Sequence, residues 1–186
     1  MSIVVVGGTA KGVGKTALIC GIIAALPERE WTAIKVTSHV YRGVLLVEQI
    51  VHDSATDTGR YLLAGAKKAL LAEADNDAAL AVLACDLLRE GGNIVIESNR
   101  IASFLAADVC LGVFAESAAP EKSSFATLLA AANGLVARTG IEWPMQFQRS
   151  GVSLFSMDDF AQVSPKFVEW FRARLSPRAQ AETPRS

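Results

Sequence analysis

The chain has 186 residues, of which 51% are apolar and 20% charged, and its 18 Lys and Arg against 19 Asp and Glu give a formal net charge of −1. A chain of this size and apolar content can bury a core, which excludes a largely disordered protein. The balanced charge argues against a general nucleic-acid-binding protein, because such a protein needs excess Lys and Arg to neutralise phosphates. The longest strongly apolar stretch, 17–26, spans about 10 residues, whereas a membrane helix needs about 20. We therefore expect no nucleic-acid and no membrane partner.

The three cysteines, Cys20, Cys85 and Cys110, are widely spaced, and each lies in an apolar run. This pattern is typical of reduced core cysteines rather than of disulfides or a metal site. The N-terminus also lacks the basic segment and cleavage site of a signal peptide. These features predict a cytoplasmic protein with one domain over residues 1–175.

Predicted strands and helices alternate along the chain. In the first half they are strand 3–6, helix 16–26, strand 32–37, an ambiguous segment at 38–56, helix 57–66 and strand 67–72. In the second half they are helix 77–90, strand 93–97, strand 108–115, helix 123–132, strand 135–138, strand 152–155 and a helix that begins at Ser164 and Pro165. Within the ambiguous segment, 44–47 fits a strand, a turn of helix or part of an active-site loop.

Apolar periodicity separates the two kinds of element. The β-branched run at 3–6 predicts a strand buried on both faces, whereas apolar residues at helical spacing from Leu80 to Leu88 predict one buried helix face. The alternation predicts an α/β fold with a doubly wound, mainly parallel sheet flanked by helices in three layers. The segment 176–186 has no apolar pattern, which predicts a disordered tail.

A glycine-rich loop with the sequence GGTAKGVGKT follows the first predicted strand and precedes the first predicted helix. This context is typical of a phosphate-binding loop, because glycines let backbone N–H groups converge on phosphate oxygens at the N-terminus of a helix. Lys15 is expected near the β and γ phosphates, and the Thr16 hydroxyl is expected to ligate Mg²⁺. The predicted nucleotide-binding residues of the loop are Gly8, Thr9, Ala10, Lys11, Gly12, Val13, Gly14, Lys15 and Thr16.

The loop departs by one residue from the strict eight-residue pattern, since Thr9 stands where that pattern has glycine and Gly8 precedes it. With this longer spacing it resembles the loops of dethiobiotin synthetase and of the cobyrinic acid amide-forming synthetases in the P-loop superfamily. Lys11 invites comparison with the signature lysine of the septum-site and partition ATPases, although their pattern is one residue longer. Two interpretations of Lys11 therefore remain: a solvated lysine of the loop, or a lysine that acts in trans on a second copy of the chain.

The strand predicted at 93–97 ends in an acid, Glu97. Ligands of doubly wound sheets bind at the carboxyl ends of the strands, and Mg²⁺ prefers one or two carboxylates together with phosphates. We therefore expect Glu97 to face Thr16 and to hold Mg²⁺ directly or through water. Ser98 and Asn99 are weaker candidates for polar contacts to substrate or water.

Lys35 interrupts an otherwise apolar predicted strand. An unpaired buried ammonium is costly, so we expect Lys35 to reach an anion at the carboxyl edge of the sheet and to share a catalytic role with Lys15 and Glu97. His39 and His52 form no recognised metal spacing, and their roles stay open.

Asp57 and Arg60 begin the next predicted helix. Asp57 is expected either to cap the N-terminus of this helix or to ligate Mg²⁺. Arg60 lies one turn later, where it can pair with a phosphate or a carboxylate, and it completes the predicted nucleotide-binding set. The predicted metal ligands are thus Thr16, Glu97 and Asp57.

Several of these segments together resemble one family. The chain resembles the molybdopterin-guanine dinucleotide biosynthesis adaptor protein family in four segments. These are the dipeptide IK with a following His39, DTGR at 57–60, AGA at 64–66 and a strand ending in Glu97. Ser98 replaces the glycine that this family has after the strand acid. The resemblance covers roughly the first half of the chain. It implies a Mg²⁺-nucleotide fold in which the loop lysine, the loop threonine and the two acids have site roles.

Two classes of function remain. One is a Mg²⁺-dependent P-loop protein of metabolism or cofactor biosynthesis that hydrolyses ATP or GTP, or transfers the γ-phosphate. A variant of this class is a synthetase that uses the nucleotide to activate a small carboxylate, which Lys35, Asp57 or Arg60 would hold. The other is a nucleotide-dependent switch or adaptor that acts as a homodimer with a partner protein. The segment 135–139 lacks the Asn-Lys-x-Asp motif of guanine-specific proteins, which slightly favours ATP over GTP.

Overall fold

The computed structural model describes residues 1–39, 46–115, 123–148 and 151–175, in which strands and helices alternate. The strands are β1 (Ser2–Gly8), β2 (Thr32–Thr37), β3 (Leu46–Gln49), β4 (Lys68–Glu73), β5 (Asn93–Glu97), β6 (Val109–Phe114), β7 (Gly134–Arg138) and β8 (Ser153–Met157). The helices are α1 (Lys15–Ala25), α2 (Asp57–Leu63), α3 (Asp77–Glu90), α4 (Ser123–Ala131) and α5 (Pro165–Arg172). The predicted tail, 176–186, lies outside the described residues.

The eight strands form one sheet in the order β3-β4-β2-β5-β1-β6-β7-β8. Neighbouring strands are parallel except at one edge, where β3 runs antiparallel to β4. The chain builds one half of the sheet with β2 to β5 and the other half with β6 to β8, so the strand order reverses beside β1. The predicted doubly wound, mainly parallel sheet is confirmed. Within the ambiguous segment, residues 46–49 form the antiparallel edge strand, and 44 and 45 lie outside the described residues.

Helices cover both faces of the sheet. The core on one face joins α1, α2 and α5 to the sheet, and the core on the other face joins α3 and α4 to it. Side chains of a strand alternate between the faces. Because Ala33 and Val95 lie in the α1 core, Lys35 and Glu97, two residues further along, emerge on the α1 face. This alternation brings both charged side chains to the same side of the sheet's carboxyl edge.

Two residues expected in the core lie on the surface. Cys85 is exposed and Leu88 is 46% exposed, because the buried face of α3 is narrower than the apolar pattern predicts. The buried residues of this helix are Leu80, Leu83, Ala84 and Leu87.

The other two cysteines are less accessible than Cys85. Cys110 is buried, and burial raises the pKa of its thiol to about 12, while Cys20 is half-buried. In the part of the chain that the structure describes, no helix is long and apolar enough to cross a bilayer.

Candidate functional site

A cavity of about 380 Å³ lies at the carboxyl edge of the sheet, between the β1–α1 loop and the first turn of α2. We call it the phosphate-loop cavity. Its lining residues are Lys11, Gly12, Gly14, Lys15, Thr16, Ala17, Lys35, Asp57, Arg60 and Glu97. Every charged residue that the sequence predicts for the site therefore lines a single cavity.

Glycines shape the loop that forms one wall of this cavity. Gly12 and Gly14 have φ angles of +80° and +106°, in the left-handed region that glycine adopts without steric strain. Gly14 immediately precedes α1, and no described side chain caps that end of the helix. The first N–H groups of α1 thus lack partners within the helix, which is the arrangement that binds anions.

Asn99 holds the start of the loop. Its Oδ1 accepts a hydrogen bond from the Gly8 N–H at 2.7 Å, and its Nδ2 donates to the Gly8 carbonyl at 3.0 Å. The same Nδ2 lies 3.3 Å from the Oγ of Ser124 on α4. From the sequence, Asn99 is only a weak candidate for contact with a substrate. In the structure, its hydrogen bonds to Gly8 instead hold the loop in place.

Thr9 joins the loop to the neighbouring strand β6. The Thr9 N–H donates to the carbonyl of Val113 at 3.0 Å, and the Ala115 N–H donates to the Thr9 Oγ1 at 3.3 Å. Gly8 and Thr9 both use their N–H groups within the protein, so these two N–H groups are not directed at an anion. Gly8 and Thr9 thus act as anchors of the loop in this structure.

The loop residues that follow Thr9 differ in their exposure and in their contacts. Lys15 bends back over the loop, and its Nζ donates to the carbonyl of Ala10 at 2.8 Å. Lys11 is exposed, whereas Val13 is half-buried against the α1 core. Ala10 lines an adjoining cavity of about 260 Å³ together with Gly8.

A cluster of two carboxylates, one ammonium and one hydroxyl faces the loop. Thr16 Oγ1 lies 2.8 Å from Glu97 Oε2 and 3.0 Å from Asp57 Oδ1, and it can donate to one of them at a time. Lys35 Nζ contacts the Glu97 carboxylate and lies 2.9 Å from Asp57 Oδ2. The guanidinium of Arg60 is 3.9 Å from Asp57 Oδ1. Strands β2 and β5 and helices α1 and α2 each contribute a residue to this cluster.

The cluster favours the charged forms of its members. Burial on its own would lower the pKa of Lys35, but the charges and hydrogen bonds of Glu97 and Asp57 outweigh burial and raise it. Burial would also raise the pKa of Asp57, but the hydrogen bond and charge of Lys35 outweigh burial and lower it. Lys35 therefore remains an ammonium and Asp57 a carboxylate at neutral pH.

Tyr61 is a member of the cluster that sequence reasoning missed. Its hydroxyl donates to Glu97 Oε2 at 2.6 Å, and its side chain is fully buried. Burial, the Glu97 charge and this hydrogen bond hold the pKa of the phenol well above its usual range, so Tyr61 remains a neutral donor. The one signal in the sequence is a hydroxyl-bearing aromatic residue that follows Arg60 in an apolar run.

Asp57 does not cap α2, contrary to one of the two expectations for it. The cap is Thr56, whose Oγ1 accepts the Gly59 N–H at 3.0 Å. The carboxylate of Asp57 is consequently directed to Lys35 and Thr16. His39 and His52 are both exposed and are not among the residues that line the phosphate-loop cavity.

The donor atoms of the cluster suit Mg²⁺. Thr16, Asp57 and Glu97 supply hard oxygens, and Mg²⁺ is typically bound by one or two carboxylates while phosphates and water complete its shell. Among the described residues, no group of three or more His, Cys, Asp or Glu side chains could hold a metal by itself.

No family model and no curated protein matches this sequence. Among solved structures, the fold is similar to that of LpxK from Aquifex aeolicus, an "apo" form in complex with ATP, with a TM-score of 0.52 and 14% sequence identity. The chain therefore shares with that structure an α/β fold, here built on a mainly parallel eight-stranded sheet. The match covers 83% of this chain and 53% of the LpxK chain, so the protein spans about half the length of that structure. The resemblances to the molybdopterin-guanine dinucleotide adaptor and dethiobiotin synthetase families stay predictions.

Proposed function

We propose that this protein binds a nucleoside triphosphate with Mg²⁺ in the phosphate-loop cavity and hydrolyses it or transfers its γ-phosphate. The observation that supports this most is the convergence of Thr16, Asp57 and Glu97 within hydrogen-bond distance, beside an uncapped helix N-terminus and Lys15. The similar fold of LpxK, which was solved with ATP, favours ATP as the nucleotide, with GTP as the alternative.

Each part of the site has a distinct task in this proposal. The N–H groups of residues 10–16 and the Lys15 ammonium hold the phosphate oxygens and stabilise the charge that builds up on them during transfer. Thr16, Glu97 and Asp57 hold the cation. When bound, Mg²⁺ neutralises negative charge on the phosphates. Arg60, which also lines the cavity, offers a guanidinium to the terminal phosphate.

Lys35 has a positioning role and a charge-balancing role. Its ammonium bridges Glu97 and Asp57, which fixes the separation of the two carboxylates before a cation arrives. Because Lys35 is already paired with two acids, it is a poor anchor for a carboxylate substrate. We therefore favour hydrolysis or phosphoryl transfer over carboxylate activation, and we place the protein in small-molecule metabolism such as cofactor biosynthesis.

The proposal is tested by following phosphate release from ATP and from GTP, with and without Mg²⁺. Wild type should release phosphate only with Mg²⁺, and Glu97→Gln should lower the rate about 100-fold, because it removes charge from the cation site. The control is Glu90→Gln, an exposed acid at the end of α3, which should behave as wild type.

Three results would go against this proposal. Tight nucleotide binding without turnover would favour the switch or adaptor, and turnover only after addition of a carboxylic acid would favour the synthetase. Equal rates of phosphate release in Glu97→Gln and Glu90→Gln would show that Glu97 has no role in the reaction.

A further inference from the structure

Tyr61 joins helix α2 to strand β5 beside the candidate cation site. Its ring packs in the core on the α1 side of the sheet and is fully buried, and its hydroxyl donates to Glu97 Oε2 at 2.6 Å. Asp57 lies one turn earlier on α2, and helix residues at this spacing share one face. Tyr61 therefore links, through one hydrogen bond, the two elements that carry the acids of the site.

Each oxygen of the Glu97 carboxylate has a donor from the protein. Lys35 Nζ contacts Oε1, whereas the hydroxyls of Tyr61 and Thr16 lie 2.6 and 2.8 Å from Oε2. Since Glu97 is only 3% exposed, water has little access to these oxygens, and protein donors must compensate the charge. Lys35 and Tyr61 together meet this requirement without Thr16.

Thr16 is the donor that can be exchanged. Its single hydroxyl hydrogen can be directed to Glu97 Oε2 or to Asp57 Oδ1, which is 3.0 Å away. Because the Tyr61 hydroxyl already donates to Oε2, the Thr16 hydrogen can turn to Asp57 without leaving that buried oxygen unpaired. Without the phenol, Thr16 would be the remaining described donor to Oε2, and the buried charge would hold its hydrogen there. The Tyr61 hydroxyl thus frees the orientation of Thr16.

We propose that Tyr61 is a positioning residue of the cation site: it fixes the Glu97 carboxylate and lets Thr16 turn a lone pair of its oxygen towards Mg²⁺. Tyr61 acts through these two residues, since it is not among the residues that line the phosphate-loop cavity. This role rests on the proposed function, because the cation concerned is the one that accompanies the nucleotide. Loss of the phenol hydroxyl should therefore weaken the contribution of the metal and spare nucleotide binding without metal.

The test is a pair of calorimetric titrations with ATP, one in Mg²⁺ and one in EDTA, on wild type and on Tyr61→Phe. This substitution keeps the buried ring and removes only the hydroxyl. The ratio of the Kd in EDTA to the Kd in Mg²⁺ measures how much the cation tightens binding. Tyr61→Phe should lower this ratio about tenfold, the low end of the usual effect of removing a partner of a metal ligand, and should change the Kd in EDTA less than about twofold.

Leu83→Ala is the control for a merely structural effect. Leu83 lies on α3 and is fully buried in the core on the other face of the sheet. Its truncation leaves a cavity and should lower the melting temperature at least as much as Tyr61→Phe does, but it should leave the ratio of the two Kd values unchanged. An unchanged ratio in Tyr61→Phe, or an equal fall of the ratio in Leu83→Ala, would overturn the positioning role.

A second measurement keeps the test decisive if Tyr61→Phe does not fold. The chain has two tyrosines, Tyr41 and Tyr61, and labelling both with 3-fluorotyrosine keeps their hydroxyls. Tyr41→Phe identifies the fluorine resonance of Tyr61, which should shift when Mg²⁺ is added to the ATP complex; no shift would overturn the role. Absence of ATP binding to wild type would refute the proposed function and this role with it, whereas ATP binding with an unchanged ratio would refute this role alone.

Discussion

Glu97 is the residue on which the candidate site converges. A carboxylate that is 3% exposed would be strongly destabilised without partners, and here Thr16, Lys35 and Tyr61 all contact it. Three different elements therefore compensate one buried charge. Such an arrangement holds the acid in one orientation, as a ligand for a phosphate-bound cation requires.

The sequence identifies those members of the cluster that break a local pattern. Glu97 and Lys35 stand out because each is a charge in an apolar strand, and Asp57 because it begins a helix. Tyr61 and Asn99 break no pattern, since their positions suit a helix core and a loop. Their contacts to Glu97 and Gly8 arise only when distant segments meet in the fold, so the sequence gives no spacing from which to infer them.

Asn99 should set the affinity of the loop for nucleotide. Asn99→Ala leaves the buried N–H and carbonyl of Gly8 without their side-chain partner, which typically costs about 1–3 kcal/mol. We expect the melting temperature to fall and the Kd for ATP to rise about tenfold, measured by thermal unfolding and calorimetric titration. Asn99→Asp keeps an acceptor for the Gly8 N–H and should lie between Asn99→Ala and wild type.

Ser124→Ala is the control for this prediction, because it removes only the 3.3 Å contact to Asn99 Nδ2 and leaves the Gly8 pair intact. It should change the Kd for ATP less than twofold. Wild-type affinity in Asn99→Ala would show that the loop keeps its shape without this side chain.

At the scale of elements, the junction between the loop and α1 depends on close packing as well as on backbone conformation. Gly12 and Gly14 both have positive φ. A Cβ at Gly12 would meet open space, whereas a Cβ at Gly14 would overlap the ring of Phe160, which is fully buried in the α1 core. Both glycines adopt a left-handed backbone, but only Gly14 also lacks room for a side chain.

This difference predicts unequal stabilities for two alanine variants. Gly12→Ala should lower the free energy of unfolding by about 1–2 kcal/mol, the usual cost of a left-handed conformation for an L-residue. Gly14→Ala should lower it by at least about 1 kcal/mol more, because the Phe160 ring must move. Urea unfolding without nucleotide measures both values, and equal losses would contradict the packing argument.

Most elements were predictable because their patterns are long or strongly apolar. Helix α3 and strand β5 match their predicted bounds, since caps and buried runs mark both ends. The sequence does not distinguish the edge strand β3 from a turn or a loop, because the strand has only four residues and its pairing partner β4 follows later in the chain. The expected end of α2 at 66 was too late, as the helix stops at Leu63 before Gly65 turns the chain with a φ of +101°.

At the scale of the whole molecule, the alternation of elements was enough to predict the fold class. The alternation does not predict the order of the strands in the sheet. That order depends on which connections cross over β1, and the packing of the helices on both faces of the sheet determines those connections. The order matters for the site. It places β5 between β1 and β2, so that Glu97 lies between the phosphate loop and Lys35.

Calorimetric titration of wild type and Lys15→Ala with ATP in the presence of Mg²⁺ tests the central claim most directly. Lys68→Ala is the control, since Lys68 is exposed and lies at the amino end of β4, away from the carboxyl edge that holds the site. We predict saturable binding to wild type and to Lys68→Ala, with at least tenfold weaker binding to Lys15→Ala. No binding to wild type, or the same Kd for all three proteins, would contradict the account.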